Sequence, residues 1–283
     1  MKDVSALPVA ELVKDGLVVR ALSAVVLAVP VLAAVYFGWP YFPLLTAAAA
    51  LILAWEWTRV CGGRAGAKLV ILGALLLAAV LAAALAAPGI ALAVLGMGFA
   101  LLWALPRLEG EPASPHGRLW FASGSLYVGI PCIALIWLRG DAEAGRQTLI
   151  WLFAVVWAAD SGAYAMGRLI GGPRLAPAIS PNKTWAGFIG GVACAGAAGA
   201  ALAALFGRTG LLPLTLVGAA IGAVAEAGDL IESWIKRHFH VKDASDIIPG
   251  HGGLMDRADG LLAAAAAMAL LELIGKESVL AWF

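Results

Sequence analysis

Charged side chains are scarce in this chain. Its 283 residues include 19 Lys and Arg and 18 Asp and Glu, so 13% are charged and 62% are hydrophobic, and the mean hydropathy is +0.92. In soluble domains about a quarter of the residues are charged. The composition therefore excludes an ordinary soluble domain and predicts a polytopic membrane protein. The formal net charge of +1 gives no sign of a nucleic-acid partner.

Paired cysteines and the common nucleotide and metal motifs are also missing. Cys61, Cys132 and Cys194 are widely separated in or beside apolar segments. They are best interpreted as small apolar residues, not as disulfides or metal ligands. The sequence contains no Walker A, GxGxxG, HExxH or CxxC pattern, so those well-known site types are not expected.

Apolar runs long enough to cross a hydrocarbon core of about 30 Å recur along the chain. We predict an all-α fold with nine transmembrane helices, at residues 18–37, 42–58, 68–87, 90–105, 120–138, 147–166, 185–206, 211–230 and 260–280. With the N-terminus in the cytoplasm, 15 Lys and Arg fall on the cytoplasmic side and four fall outside. This bias predicts a cytoplasmic N-terminus and an external C-terminus.

The loop at 106–118 is the best boundary between two halves. We predict an N-terminal lead-in at 1–17, scaffold helices at 18–118, and a region at 119–283 that carries most of the ionisable groups. In the first half Glu56 is the polar exception, and it lies between Trp55 and Trp57. We interpret it as an interfacial residue that pairs with Arg59 at i, i+3.

Ionisable groups are concentrated in residues 226–259. This stretch holds 11 of the 37 charged side chains and three of the four histidines. A chain this apolar does not place charges at a membrane without a function. Residues 221–236 are predicted to form a helix that leaves the membrane. Within roughly 140° of its circumference the helix carries acidic, hydroxyl and basic groups: Glu226, Asp229, Glu232, Ser233, Lys236 and Arg237.

A tight turn is predicted after this helix, because Pro249-Gly250 and Gly252-Gly253 flank His251. Asp256 and Asp259 then open the next helix. They could simply cap that helix, since carboxylates are favoured at a helix N-terminus. Alternatively, carboxylates from two helix ends with four cations nearby would fit Mg²⁺ and phosphate groups, as in phosphoryl or nucleotidyl transfer.

Two further segments carry candidate site residues. Asp160 lies inside an apolar run, where a carboxylate forms either a structural hydrogen bond or part of a site. Residues 167–180 are predicted to be a flexible loop, and 180–185 to start the next helix. Backbone N–H groups there, with Lys183, would form a phosphate cradle. The alternative is a capped helix with a snorkelling lysine.

These segments resemble the phosphatidate cytidylyltransferases, or CDP-diacylglycerol synthases. The resemblance rests on Ser233 to Arg237, on Lys242-Asp243 and on residues 249–259, which read PGHGGLMDRAD. Asp160 to Tyr164 and Ser180 to Trp185 also match, although Asn182 stands where Gly or Lys is more usual. The resemblance is strong over residues 150–270 and gives no chemistry before Leu149.

The resemblance implies an enzyme that converts CTP and phosphatidic acid to CDP-diacylglycerol and pyrophosphate. It implies Mg²⁺, with a second cation in the site, and the metal ligands Asp229, Asp256, Asp259 and Asp160. The catalytic group is expected to be Asp229, Asp256, Lys236, Arg237 and Arg257. The substrate-binding group is expected to be Ser180, Asn182, Lys183, Thr184, Ser233, Lys242, His251, Gly252 and Gly253.

We expect a homodimer in a prokaryotic inner membrane, with the site facing the cytoplasm. Two other classes stay open. A CDP-alcohol phosphotransferase would also use several Asp and Mg²⁺, but Asp259-Gly260 is not followed by the Ala-Arg of its motif. A transporter would use carboxylates in interrupted helices to bind coupling ions, and ion-driven uptake would reveal it.

Overall fold

The computed structural model describes residues 16–61, 66–105, 115–142, 144–248 and 252–282. Within these ranges the chain forms nine α-helices, one two-stranded hairpin and a 3-10 turn at Val279–Ala281. The helices are α1 Gly16–Phe37, α2 Tyr41–Val60, α3 Ala67–Ala84, α4 Pro88–Ala104, α5 Pro115–Gly140, α6 Gly145–Leu169, α7 Trp185–Leu205, α8 Leu211–His238 and α9 Met255–Gly275. Residues 1–15 of the predicted lead-in (1–17), most of the predicted boundary loop and His251 lie outside the described residues.

Each predicted apolar run overlaps one of these helices, so the all-α polytopic prediction is confirmed. Among the described residues, seven helices are long and apolar enough to cross a membrane: α2, α3 and α5 to α9. The apolar part of α1 (Val26–Phe37) and α4 are shorter. Helix α8 continues to His238, well beyond the predicted span, as expected for the charged helix that leaves the membrane.

The segment between α6 and α7 corrects two predictions. We expected a flexible loop at 167–180 and a helix start at 180–185. Instead, β1 (Arg174–Ala176) and β2 (Ser180–Thr184) pair as an antiparallel hairpin with Arg174 opposite Thr184. Helix α7 begins only at Trp185, because Thr184 is its N-cap and its hydroxyl accepts a hydrogen bond from the Gly187 N–H at 3.1 Å.

Helix α7 packs closely between α6 and α8 because small residues line both contacts. A Cβ atom built on Gly191 would lie 2.8 Å from the Ala159 carbonyl oxygen of α6. A Cβ atom built on Gly222 would lie 2.4 Å from the Ala195 Cβ of α7. Small residues of this kind allow helix backbones to approach closely in a membrane. The three helices therefore place β2 and the charged end of α8 side by side.

The N-terminal helices are joined to the rest through α5. Trp57 of α2 is buried, donates a hydrogen bond from Nε1 to the Trp120 carbonyl oxygen at 3.1 Å, and stacks on Tyr127. Helix α9 then packs against α5, α6 and α8. Cys61, Cys132 and Cys194 are all free thiols, as predicted. Because α2 and α9 both pack against α5, α2 is held near the start of α9.

Candidate active site

A cavity of about 1170 Å³ lies at the end of the bundle where α6 and α8 finish and α7 and α9 begin. It brings together nine of the predicted site residues: Asp160, Asn182, Lys183, Thr184, Asp229, Lys236, Asp256, Arg257 and Asp259. Six others lie outside its lining in the described chain: Ser180, Ser233, Arg237, Lys242, Gly252 and Gly253. The cavity therefore brings together predicted residues from four separate segments of the chain.

Lys183 links β2 to α8. Its Nζ lies 3.0 Å from Glu226 Oε2 and 2.8 Å from Asp229 Oδ2. Burial alone would lower the pKa of Lys183, but the charges of Asp229 and Glu226 and their hydrogen bonds outweigh it, so its pKa is raised. The ammonium is therefore held in its charged form at the cavity wall.

Lys236 forms the second ion-pair group, about two turns beyond Asp229 on α8. Its Nζ lies 2.7 Å from Glu232 Oε2 and 2.5 Å from Asp256 Oδ1. Asp256 also accepts hydrogen bonds from the backbone N–H groups of Gly253 at 2.8 Å and Ala244 at 3.1 Å. The carboxylate of Asp256 thus lies in the first turn of α9 and holds the preceding loop. The favourable position of this carboxylate at a helix N-terminus therefore occurs together with a place in the cavity wall.

Three carboxylates approach one another beside these ion pairs. Oxygen atoms of Asp229, Glu232 and Asp259 lie within 4.8 Å of one another. The Glu232 side chain is 1% exposed; its Oε2 pairs with Lys236 Nζ at 2.7 Å, whereas its Oε1 has no hydrogen-bond partner in the described chain. A buried carboxylate oxygen without a donor is costly. A hard divalent cation, which prefers oxygen ligands, would satisfy it.

Cations other than the predicted ones also reach the cavity. Arg168 of α6 and Arg174 of β1 line it together with Arg257. Arg237 is exposed, and its guanidinium contacts only backbone oxygens among the described residues, those of Ile179 at 3.4 Å and Val241 at 3.3 Å. The cationic side of the cavity is thus built from α6, the hairpin, α8 and α9.

Glu56 does not occupy the interfacial position predicted for it. The residue is 0% exposed, and its carboxylate accepts hydrogen bonds from Ser245 Oγ at 2.5 Å, from the Leu254 N–H at 2.8 Å and from the Met255 N–H at 2.6 Å. The prediction failed because its partners lie 189 to 199 residues further along the chain. Arg59 lies instead over the Trp55 ring.

Sequence reasoning did not include Glu226, Glu232, Arg168 or Arg174 among the site residues. Glu226 and Glu232 were on the charged face of the predicted helix, and that face was the signal for them. The two arginines had no comparable signal, since the hairpin that places Arg174 was predicted to be a loop.

One wall of the cavity is apolar. It is formed by Leu27 and Val31 of α1, Phe153 and Trp157 of α6, and Leu261 of α9. The cavity therefore offers ionised groups and an apolar surface to the same ligand. Such a site fits an amphipathic molecule with a phosphorylated head better than a wholly soluble one.

An all-α integral membrane protein with a cavity of carboxylates, lysines and arginines at one end of its bundle is the class that the fold and site define. The model of the cytidylyltransferase family matches residues 18–274, and the chain belongs to this family. It is therefore a nucleotidyltransferase, and members of such a family in general use a divalent metal.

Relatives cover almost the whole chain. The chain is 39% identical over 268 residues to the phosphatidate cytidylyltransferase of Brucella suis biovar 1, covering 93% of this chain and 96% of that protein. It is 34% identical over 278 residues to the phosphatidate cytidylyltransferase of Haemophilus influenzae, covering 87% and 94%. The similarity to the Bacillus subtilis protein of the same name, 38%, extends over 49% of this chain.

Proposed function

We propose that this protein transfers the cytidylyl group of CTP to phosphatidate, forming CDP-diacylglycerol and pyrophosphate. The observation that carries the proposal is the cavity, because its ionised end suits the phosphates of both substrates and its apolar wall suits the diacylglycerol. The relatives named above supply the particular substrates. A purely soluble pair of substrates would not need the wall formed by α1 and α6.

Positioning and charge neutralisation supply most of the catalysis in this proposal. Lys183, Lys236 and Arg257 bind phosphate oxygens, and Arg168 and Arg174 extend the same basic surface. The predicted contacts to CTP from Ser180, Asn182, Thr184, Ser233 and Lys242, and from the turn at 251–253, belong to the proposal. Arg237 is assigned to the outer approach of the nucleotide because it is exposed.

A divalent cation, Mg²⁺ in this proposal, fits the donor set of Asp229, Glu232 and Asp259, because their oxygens lie within 4.8 Å of one another and the buried Oε1 of Glu232 has no hydrogen-bond donor in the described chain. When bound, it would neutralise charge on the phosphate oxygens. Asp256 and Asp160 line the same cavity, and their predicted roles as ligands, like that of a second cation, are part of the proposal.

The chemical step needs no protein nucleophile. A phosphate oxygen of phosphatidate attacks the α-phosphorus of CTP, a new P–O bond forms, and the bond between the α-phosphorus and its bridging oxygen breaks. Pyrophosphate leaves with the electron pair of that bond. The lysines hold the two polyanions in line and stabilise the charge that develops on the leaving group.

The positive-inside pattern supports a cytoplasmic site in a prokaryotic inner membrane, where nucleoside triphosphates are present. A lipid from the bilayer would enter past the apolar wall. We also propose a homodimer, and we retain the division into a lead-in (1–17), a scaffold (18–118) and a catalytic region (119–283).

The test is pyrophosphate release by purified protein in detergent with phosphatidate, Mg²⁺ and each nucleoside triphosphate in turn. We expect release only with CTP or its deoxy form, and only when lipid and metal are both present. Release with no preference for the base, or without lipid, would overturn the proposal. Silence with every nucleotide, from folded protein that shows ion-driven uptake in vesicles, would support the transporter instead.

A further inference from the structure

The segment between α8 and α9 has little regular structure, yet it leads directly into the start of α9, which carries two carboxylates of the candidate site. In the described part of residues 239–254, one isolated bridge joins Ile248 to Gly252, with N–H to O distances of 2.9 and 3.1 Å. Asp256 and Asp259 follow immediately on α9. The position of α9 relative to α8 therefore depends on what holds this segment, which we call the α8–α9 loop.

Two carboxylates hold the α8–α9 loop from opposite sides. Asp256 binds the N–H groups of Ala244 and Gly253, and Glu56 binds Ser245 Oγ and the N–H groups of Leu254 and Met255. Both carboxylates thus join the middle of the loop, at Ala244 and Ser245, to its last residues and the start of α9. The N–H groups of Leu254 and Met255 belong to the first turn of α9, which has no intrahelical acceptors for them. Glu56 therefore caps α9 from another helix.

The backbone at Gly253 packs tightly against the Glu56 carboxylate. A Cβ atom on Gly253 would lie 2.5 Å from Glu56 Oε1 and 3.0 Å from Asp256 Oδ2, so the backbone passes directly between the two carboxylates. Helix α2 is itself fixed, because the neighbouring Trp57 is 1% exposed and bonded to α5. Gly124 of α5 packs against this indole so closely that a Cβ atom would lie 2.3 Å from it.

We propose that Glu56 is a positioning residue for cytidylyl transfer: through the α8–α9 loop it fixes the start of α9, so that Asp256 meets Lys236 and Asp259 meets the carboxylates of α8. The inference rests on the proposed function for its kinetic consequence. It assigns a task in the reaction to the N-terminal half, in which the sequence showed no chemistry. Glu56 itself does not line the cavity.

The test compares Glu56→Gln with Glu272→Gln. Glu272 is a matched control, since it is a 4% exposed carboxylate that accepts the Val279 N–H at 3.0 Å at the other end of α9. An amide at position 56 keeps the side-chain size, but its NH₂ group must face one of the three donors. We measure thermal unfolding, backbone hydrogen exchange over residues 244–259, kcat, the KM for CTP and the Mg²⁺ concentration for half-maximal rate.

We expect Glu56→Gln to lower kcat on the order of 100-fold, because a small displacement of catalytic groups has an effect of that size. We expect the KM for CTP to change much less, half-activation to need more Mg²⁺, and the amides near Leu254 to exchange faster. Glu272→Gln should leave kcat near the wild-type value at a similar loss of thermal stability. Glu56→Asp, which keeps the charge, should fall between Glu56→Gln and the wild type.

Equal effects of Glu56→Gln and Glu272→Gln on kcat, or unchanged exchange near Leu254, would overturn the inference. If Glu56→Gln does not fold, the same comparison is made with Glu56→Asp, for which a wild-type kcat and exchange pattern would overturn it. Failure of the proposed function is distinguishable: the wild-type protein would then transfer no cytidylyl group, while the exchange measurement would still report whether Glu56 fixes the start of α9.

Discussion

Lys183 is the residue at which the hairpin and α8 meet. Its ammonium is shared between Glu226 and Asp229, so it both joins two elements and presents charge to the cavity. A lysine of this kind can release one carboxylate contact when a phosphate arrives, because phosphate oxygens are equally good acceptors. The predicted phosphate-binding role thus suits the ion pairs that the structure shows.

Lys183→Met should reduce kcat/KM for CTP by at least about 100-fold, the size expected when one stabilising donor is removed from a transition state. Pyrophosphate release measures it. Arg208→Met is the control, because Arg208 pairs with Gln147 away from the cavity, and it should retain near-normal kcat/KM. Equal rates for Lys183→Met and the wild type would remove Lys183 from the site.

Replacement by Asn should lower the thermal stability of the protein more at Asp256 than at Asp229. Asp229 lies near two other carboxylates, so Asp229→Asn relieves repulsion as it loses its pairing with Lys183. Asp256 accepts two backbone N–H groups, which an amide satisfies only in part. We expect both variants to abolish turnover. Asp229→Asn should unfold within about 3 °C of the wild type, whereas Asp256→Asn should unfold several degrees lower.

Thermal unfolding and pyrophosphate release on the same preparations make the comparison. Near-normal turnover in Asp229→Asn or in Asp256→Asn would exclude that residue as a metal ligand. Equal losses of thermal stability in the two variants would contradict the idea that Asp256 stabilises the protein by holding the N–H groups of Ala244 and Gly253.

At the scale of the elements, close packing of α6, α7 and α8 brings β2 to the charged end of α8. Gly222→Ala introduces a Cβ atom 2.4 Å from the Ala195 Cβ, and we expect a loss of about 1–3 kcal/mol of stability from overpacking. Gly96→Ala in α4 is the control, since nothing lies within 4 Å of a Cβ atom there. It should gain about 0.5–1 kcal/mol.

Unfolding in a mild detergent, followed by intrinsic tryptophan fluorescence, compares the two glycine variants. A Gly222→Ala protein as stable as Gly96→Ala would mean that the α7–α8 contact opens without cost. The close approach would then not be what aligns β2 with α8.

Helix positions could be predicted from sequence because each apolar run had to be long enough to cross a bilayer and must satisfy its own backbone hydrogen bonds. The hairpin could not, because residues 174–184 are rich in Pro and polar groups and owe their pairing to the neighbouring helix ends. The cavity residues on α8 and α9 followed from helical periodicity and the motif. The loop contacts of Glu56 depend on partners 189 or more residues away, which no local pattern reveals.

At the scale of the whole molecule, charge is divided between the two ends of the bundle. The cavity lies where α6 and α8 end, and Arg139, Lys276 and Glu272 lie around a second cavity of about 850 Å³ with Gly38 and Ser278. Because α5 runs from the cavity end towards Arg139 and α9 runs from Asp256 towards Lys276, these two cavities lie at opposite ends of the bundle. The positive-inside rule supports our proposal that the larger cavity faces the cytoplasm.

Cysteine labelling tests this orientation. In a background with Cys61, Cys132 and Cys194 replaced by Ala, Lys242→Cys and Lys276→Cys each introduce one exposed thiol. A membrane-impermeant maleimide should label position 276 in intact spheroplasts and position 242 only after permeabilisation. The reverse pattern would place the candidate site outside the cell, away from nucleoside triphosphates.

The most direct test of cytidylyl transfer to phosphatidate follows the α-phosphorus of CTP. Wild-type protein in phosphatidate micelles with Mg²⁺ is given CTP radiolabelled at that atom, and Asp229→Asn is run beside it. We predict that the label enters the lipid fraction as a CDP-linked product, that it does so only when phosphatidate is present, and that the variant transfers none. Label that stays in the aqueous phase as a hydrolysis product, or transfer by the variant at the wild-type rate, would contradict the account.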